Sequence, residues 1–252
     1  MTTKISVITA TLNNKACIEG CIKSVLTQNY KNIEYIIIDG GSTDGTIDTI
    51  RKYENSVSKW ISEPDRGIYD ALNKGIKLAS GNIIGFLHAD DFYAHNRVLE
   101  TVALHITKHN VDSCYGDLFY VDKSNIDKVV RHWKSRPYRD GLFKRGWMPP
   151  HPTFFVKKEI YDKFGYFNTE FKIAADYELM LRFLEKYKIS THYIPEVFIK
   201  MRIGGTSNKS MKNIFIKSCE DYKAWKINSL NGGISTILLK NLSKIPQFLR
   251  KY

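Results

Sequence analysis

Three groups of carboxylates stand out by the company they keep. Asp39 opens the run Asp39-Gly40-Gly41-Ser42-Thr43-Asp44-Gly45, directly after an apolar stretch at 35–38. Asp90 and Asp91 close His88-Ala89-Asp90-Asp91, after a second apolar stretch at 83–87. Asp176 opens Asp176-Tyr177-Glu178-Leu179, with Leu179, Phe183 and Tyr187 on the same helical face as the acid. An adjacent carboxylate pair at a strand end offers hard oxygen ligands that suit Mg²⁺ or Mn²⁺, and Mg²⁺ is held by one or two carboxylates plus substrate phosphates. The plain alternative is loop solvation and capping of a helix that begins near Asn96. Asp39 is either a turn residue or an acceptor of hydrogen bonds from a nucleobase or ribose. Asp176 is an N-cap or a catalytic base, and the two roles are compatible because a helix start favours the anion and holds it in place.

These acids need a frame that gathers distant segments, and the first 110 residues read as one. Residues 4–9 are β-rich, 35–38 and 83–87 have the continuous apolar character of buried parallel strands, and 59–62 is a short strand. Helical periodicity covers 16–26, 46–53, Ile68–Leu78 and 96–107. Such alternation predicts an α/β fold, a mostly parallel sheet with helices on both faces. Ligands bind beyond the carboxyl ends of strands in sheets of that kind, which places the Asp39 and Asp90–Asp91 clusters in one crevice. Gly40, Gly41 and Gly45 let the backbone approach a ligand closely, and Ser42 or Asp44 can cap the next helix. From Tyr115 to about Thr206, strand-like runs at 115–121, 153–156 and 193–199 are mixed with loops crowded by Trp133, Pro137, Trp147, Pro149, Pro150 and Pro152. This second half is less regular and completes a cleft. No GxGxxG follows the first strand and no GxxxxGK[ST] occurs, against a dinucleotide dehydrogenase or a P-loop NTPase.

Composition sets the class. The 252 residues are 43% hydrophobic and 25% charged, ordinary for a globular protein and long enough for a sizeable core. The four cysteines, Cys17, Cys21, Cys114 and Cys219, are too scattered for a disulfide scaffold or a Cys-rich zinc site, so reduced thiols are expected. The net charge of +12 is uneven: residues 1–199 carry 27 basic and 24 acidic side chains, residues 200–252 carry 11 and 2. From Gly233, apolar residues fall at Ile234, Leu238, Leu242, Ile245, Leu249 and Tyr252, one helical face, with Lys240, Lys244 and Lys251 off it and Pro246 a point of kinking or termination. A basic amphipathic helix can lie among anionic lipid headgroups, at ~1 kcal/mol per basic residue, or can pack on the protein's own core. No nucleic acid is expected. The N-terminal apolar run leads into a strand rather than a signal peptide, and no segment approaches the roughly 20 apolar residues that span a bilayer. A cytoplasmic protein is expected, peripheral on the inner face of the cell membrane if the tail binds lipid.

The segments SVITATLNN, YIIIDGGSTDGT, SEPDRGIYDALNKGIKLASG, IIGFLHADD and AADYELMLR, in order over roughly residues 4–205, resemble the family 2 glycosyltransferases with their GT-A fold. Within that family they look closest to small bacterial enzymes of surface polysaccharide synthesis. The resemblance implies a Rossmann-like central sheet in a nucleotide-sugar-binding half at 1–110, a smaller mixed acceptor-side half with the catalytic base at 111–206, and a basic, helical C-terminal tail at 207–252. It implies Thr11 and Asn13 at the nucleotide-facing end of the first strand. It implies Asp39 against the base, usually uracil, and Asp90 and Asp91 at the ribose and at the Mn²⁺ or Mg²⁺ bridging the diphosphate. Asp65, Arg66 and Asn73 fall in the donor-binding stretch, and Asp176 matches the base. His88 stands where the family's DxD has its first acid. His151 stands where the family sometimes has a cleft histidine touching the leaving group or the metal; a structural histidine among prolines is the equal alternative. Residues 201–206 resemble a segment that closes the acceptor side, or an ordinary turn.

The function implied is inverting, metal-dependent transfer of a sugar from a nucleoside diphosphate, UDP by preference, to a saccharide or a polyprenyl-diphosphate-linked acceptor. Two other classes compete. A nucleotidyltransferase of related topology would make the nucleotide sugar, but Ala10-Thr11-Leu12-Asn13-Asn14-Lys15-Ala16 lacks its Gly-rich basic loop. A non-catalytic basic binding protein would have no need of Asp39, Asp90, Asp91 and Asp176.

Overall fold

The structure, a computed structural model, describes residues 3–204 and 211–242. Its first strand, β1 (Ile5–Thr11), is buried along its whole length. The same holds for Ile36, Ile37 and Ile38 of β2 (Ile33–Asp39). Strands covered on both faces read as continuous apolar runs, which is why these stood out. Helix α1 (Ile18–Leu26) links the two, α2 (Thr46–Arg51) leads to β3 (Lys59–Ser62), and α3 (Ile68–Leu78) leads to β4 (Ile83–Phe86). These four strands are parallel, in the order β3-β2-β1-β4. Thr11 is the register partner of Asp39, and Asp39 of Ser62, so three strand ends finish in a line.

After β5 (Phe92–Tyr93) and α4 (Val98–His109), the chain adds β6 (Ser113–Val121), β7 (Val129–Trp133), β8 (Phe155–Lys157) and α5 (Lys158–Phe164). Helix α6 (Ala175–Met180) runs into a π-helical stretch (Leu181–Lys186) and then β9 (Thr191–Arg202). The sheet continues as β4-β8-β6-β9-β5, with β8 antiparallel to both neighbours, β9 parallel to β6, and β7 pairing only β6. One nine-stranded sheet therefore runs through both halves. Helix α3 packs on β1 and β2, α4 on β6 and β9, and α1 on β5. β5, β7 and α5 were not anticipated: β5 has two residues, and it is a strand only because β9 pairs it at Phe92↔Lys200. The four cysteines are free.

One acid sits inside the parallel sheet. Glu34 accepts from Ser6 Oγ (2.6 Å), from Ser80 N (2.7 Å) and Oγ (2.8 Å), and from Lys59 Nζ (3.1 Å). Burial opposes its charge, but these donors outweigh it and hold the carboxyl down to about 2.

The C-terminal region differs from the expectation of a single amphipathic helix. It holds two helices, α7 (Met211–Ile227) and α8 (Ile234–Leu242). The expected face is open at Ile234 (72% exposed) and Leu238 (58%), while Thr236, Ile237 and Lys240 turn inward. Lys240, expected at a headgroup surface, is instead buried and paired with Asp221 at 2.6 Å. Lys244, Ile245, Pro246, Leu249, Lys251 and Tyr252, like Gly205 and Thr206, lie outside the described residues. No described helix is long and apolar enough to cross a membrane.

Candidate active site

A cavity of about 550 Å³ opens where β1 and β4 end. Thr11, Asp65, His88, Asp90, His151 and Asp176 all line it, and Tyr69, Lys172 and Met201 complete the wall. Residues from both halves of the sequence thus meet at one place, as the strand-end rule requires.

The loops after β1 and β2 lock each other. The Asn13 N–H donates to Ser42 Oγ (2.7 Å) and its side-chain oxygen accepts from Thr43 N (2.9 Å), with Asn13 itself at φ 50°. Asn14 N donates to Thr46 Oγ1 (2.8 Å) and Lys15 N to Asp44 Oδ2 (3.0 Å). Asp39 is buried within this clasp, accepting from Gly41 N (3.0 Å), Ser42 N (2.9 Å), Ser42 Oγ (2.5 Å) and Ser62 Oγ (2.6 Å). Its carboxylate shapes the loop, and it is not part of the cavity wall. Thr11 is: its hydroxyl is buried, without a protein partner.

On the next segment, Asp65 faces the cavity and is held by Lys74 at 2.6 Å. Arg66 is 84% exposed, pairs with Asp70 at 3.4 Å, and does not reach the wall. Asn73 is a fastener: its amide donates to Phe167 O (2.9 Å) and accepts from Phe167 N (3.0 Å). Tyr69 stacks on Phe167 and donates to Ile173 O (2.7 Å). Helix α3 is thereby tied to the segment that leads into α6.

The two adjacent acids part company. Asp90 lines the cavity. Asp91, expected beside it as a ligand, is fully enclosed, because the chain turns inward there to begin β5 and its N–H bonds back to His88 O (2.9 Å). Among the described residues neither of its carboxyl oxygens has a hydrogen-bond partner of good geometry. Burial, then the Asp90 charge, pushes that carboxyl well above the usual range, and Arg202 only partly offsets them. Arg202, at the end of β9, also donates to the Asp90 carbonyl and lies over the Phe92 ring. His88 keeps a buried, unpartnered Nδ1, and burial favours its neutral form. A carboxylate and a neutral imidazole on one wall are oxygen and nitrogen donors fit for Mg²⁺ or Mn²⁺, with Asp90 the accessible anion.

Opposite His88 lies His151, ring centroids 6.1 Å apart. His151 Nδ1 is 3.2 Å from Asp176 Oδ2. Burial draws His151 down to about 4, so it is neutral at physiological pH. Burial also works against the Asp176 charge. His151 when protonated, Lys240, the Tyr177 N–H and Lys217 work the other way and keep the carboxyl below its usual value. Asp176 is therefore an anion aimed into a cleft.

What holds Asp176 there comes from beyond residue 210. Glu220 of α7 accepts from Lys172 N (2.8 Å), Ile173 N (2.9 Å) and Ala174 N (2.9 Å), the last residues before α6. Trp225 Nε1 donates to Tyr177 OH (2.8 Å), and Asn228 Nδ2 to Glu178 Oε1 (2.9 Å). The Lys240 ammonium sits 3.4 Å from the Tyr177 ring centroid. A Cβ on Gly232 would fall 2.0 Å from the Trp225 indole, and one on Gly146 2.3 Å from the α8 backbone, so glycine is required for this close packing. Glu220 carried no sequence signal, and Lys240 stood out only as a basic residue off an amphipathic face, so neither was legible as a support of α6. Only their ordered contacts with α6 reveal them.

Comparison with known proteins agrees with this architecture. Residues 6–166 match Glycosyl transferase family 2. The chain is 30% identical over 218 residues to a "PGL/p-HBAD biosynthesis glycosyltransferase" of Mycobacterium bovis, covering 84% of this chain and 82% of the relative. It is 29% identical to the Escherichia coli WfaP, named as a UDP-Glc:alpha-D-GlcNAc-diphosphoundecaprenol beta-1,3-glucosyltransferase, covering 85% and 84%. Among solved structures, S. aureus TarS 1-349 in complex with UDP-GlcNAc superposes with a TM-score of 0.67 at 16% identity, covering 98% and 78%. The mannosyltransferase PcManGT of Pyrobaculum calidifontis, in complex with GDP-Man and Mn²⁺, gives 0.62 at 18%, covering 100% and 82%. The fold is GT-A, and the chain belongs to glycosyl transferase family 2.

Proposed function

We propose that this glycosyltransferase moves a sugar from UDP, with inversion, to a hydroxyl of a saccharide carried on a polyprenyl diphosphate in bacterial surface polysaccharide synthesis. The observation that carries the reading is that an ionised Asp176 and an accessible Asp90 line one cavity at the strand ends. The names of WfaP and of the TarS complex support a UDP donor, and that of WfaP a lipid-linked acceptor.

In this reading Thr11 and Asp65 meet the nucleotide and Asp39 shapes the loop against which the base rests. Asp90, with His88 beside it, would hold a divalent cation, Mn²⁺ or Mg²⁺. Such a cation neutralises charge on a leaving diphosphate. The acceptor hydroxyl attacks the anomeric carbon from the face opposite the diphosphate. The new C–O bond forms as the old one breaks, the electron pair leaves with the diphosphate, and the hydroxyl proton passes to Asp176. A single displacement of this kind inverts the anomeric centre. Neutral His151 orients the Asp176 carboxylate through their 3.2 Å contact. Ile234 and Leu238 on α8 and Phe215 on α7 are exposed apolar side chains, the kind of group that enters a membrane surface, where a lipid-linked acceptor would reside.

Calorimetry with UDP, GDP and UDP-sugars, with and without Mn²⁺, tests the donor. Expected is Mn²⁺-dependent UDP binding that weakens by about tenfold or more in Asp90→Asn, since ligand-sphere changes typically cost ~10–100-fold. Preference for GDP would overturn the UDP assignment. Turnover of a nucleoside triphosphate with release of pyrophosphate would replace transferase with nucleotidyltransferase.

A further inference from the structure

Far from the cleft, three histidines converge. His105 and His109 are one helical turn apart on α4, and His192 is the second residue of β9. One ring nitrogen from each lies within 4.8 Å of the other two. The rings of His109 and His192 are stacked at 4.0 Å, and His105 stacks on His192 at 5.2 Å. Among the described residues this is the one such group of three or more potential metal-ligating side chains.

We propose that His105, His109 and His192 form a transition-metal site, with Zn²⁺ as its ligand, separate from the sugar-transfer cavity. An i,i+4 histidine pair on a helix joined by a third imidazole is a donor set that imidazole-preferring metals take. Zn–N bonds of about 2.0–2.1 Å in a tetrahedral site put nitrogens about 3.3 Å apart. Binding therefore requires the nitrogens to close from 4.8 Å and the stacked rings to turn until their lone pairs converge, and His109 is exposed and His105 and His192 half-buried, so they have room to turn. The fourth position stays open to water.

Two further observations point the same way. His105 Nδ1 is buried and has no hydrogen-bond partner, an imidazole nitrogen left unused by the fold. His109 is the last residue of α4, where the free carbonyl end of a helix favours a cation. The site is distinct from the cavity because His192 and the cavity-lining Met201 lie at opposite ends of β9, nine residues or roughly 30 Å of strand apart.

The test is a Zn²⁺ titration of the full chain, stripped of metal with a chelator, followed by calorimetry and by the histidine resonances in NMR. One Zn²⁺ per chain is expected, with the signals of His105, His109 and His192 moving together and the thermal midpoint rising. Binding is expected to persist in Asp90→Asn and to weaken by about tenfold or more in His109→Ala and in His192→Asn. Exposed His109 makes its variant safe for folding, and circular dichroism checks both. Binding unchanged in His109→Ala, binding lost in Asp90→Asn, or no shift of the three resonances at saturating Zn²⁺ would each overturn the proposal.

Discussion

At the scale of single residues, the site turns on how neighbouring acids are made unequal. Asp90 and Asp91 are adjacent, yet one faces the cavity and the other is sealed and pushed toward its neutral form. Asp91→Asn is therefore expected to leave Mn²⁺-dependent UDP binding within about twofold, while Asp90→Asn weakens it by about tenfold or more, both read by calorimetry. Asp176→Asn keeps the shape and removes the proton acceptor. It is expected to lower kcat by about 10²–10⁴-fold with UDP affinity unchanged. The Asp176 carboxyl is held below its usual value, so it stays ionised down through that value and loses activity only at lower pH. The acid limb of kcat is expected below the ordinary aspartate range for a carboxylate so placed. An acid limb near pH 6 would mean another group sets the rate.

At the scale of elements, the strand ends were readable because topology fixes where ligands go before any side chain is known. The runs at 35–38 and 83–87 located β2 and β4, and with them the Asp39 and Asp90 loops. Elements made by long-range pairing were not readable: Phe92–Tyr93 is a strand only because residues 199–200 lie against it. The direction of Asp91 was hidden for the same reason. Nor could sequence show that Asn73 joins α3 to Phe167, or that Glu220 receives three backbone N–H groups ahead of α6. Glu220→Gln weakens those charge-assisted bonds. It is expected to destabilise the protein by about 1–2 kcal/mol in urea unfolding, and to reduce kcat with little change in donor affinity. Equal losses in both would show that α7 supports the whole cleft rather than the α6 side alone.

At the scale of the molecule, the C-terminal helices brace the segment that carries Asp176 and are not an appendage. Asp221 and Lys240 are both buried and face each other at 2.6 Å, so removing either leaves the other buried without its oppositely charged neighbour. Lys240→Met is expected to cost about 3–5 kcal/mol, measured by denaturant unfolding, and Asp221→Leu in the same chain to recover most of it. A double variant no more stable than Lys240→Met would show that the pair is not the source of the loss. Deleting residues 233–252 would remove Lys240 along with the exposed Ile234 and Leu238, so loss of liposome binding on deletion could not be assigned to lipid contact alone. Ile234→Ser with Leu238→Ser is the cleaner variant for that purpose. The wrapping of α6 by later helices also imposes an order on biosynthesis. The parallel strands β1 to β4 precede residue 90, whereas Glu220, Trp225 and Lys240 leave the ribosome later. A nascent chain can thus pair β1 to β4 while the segment bearing Asp176 still lacks its braces, so that translation itself separates the laying down of the parallel strands from the positioning of that carboxylate.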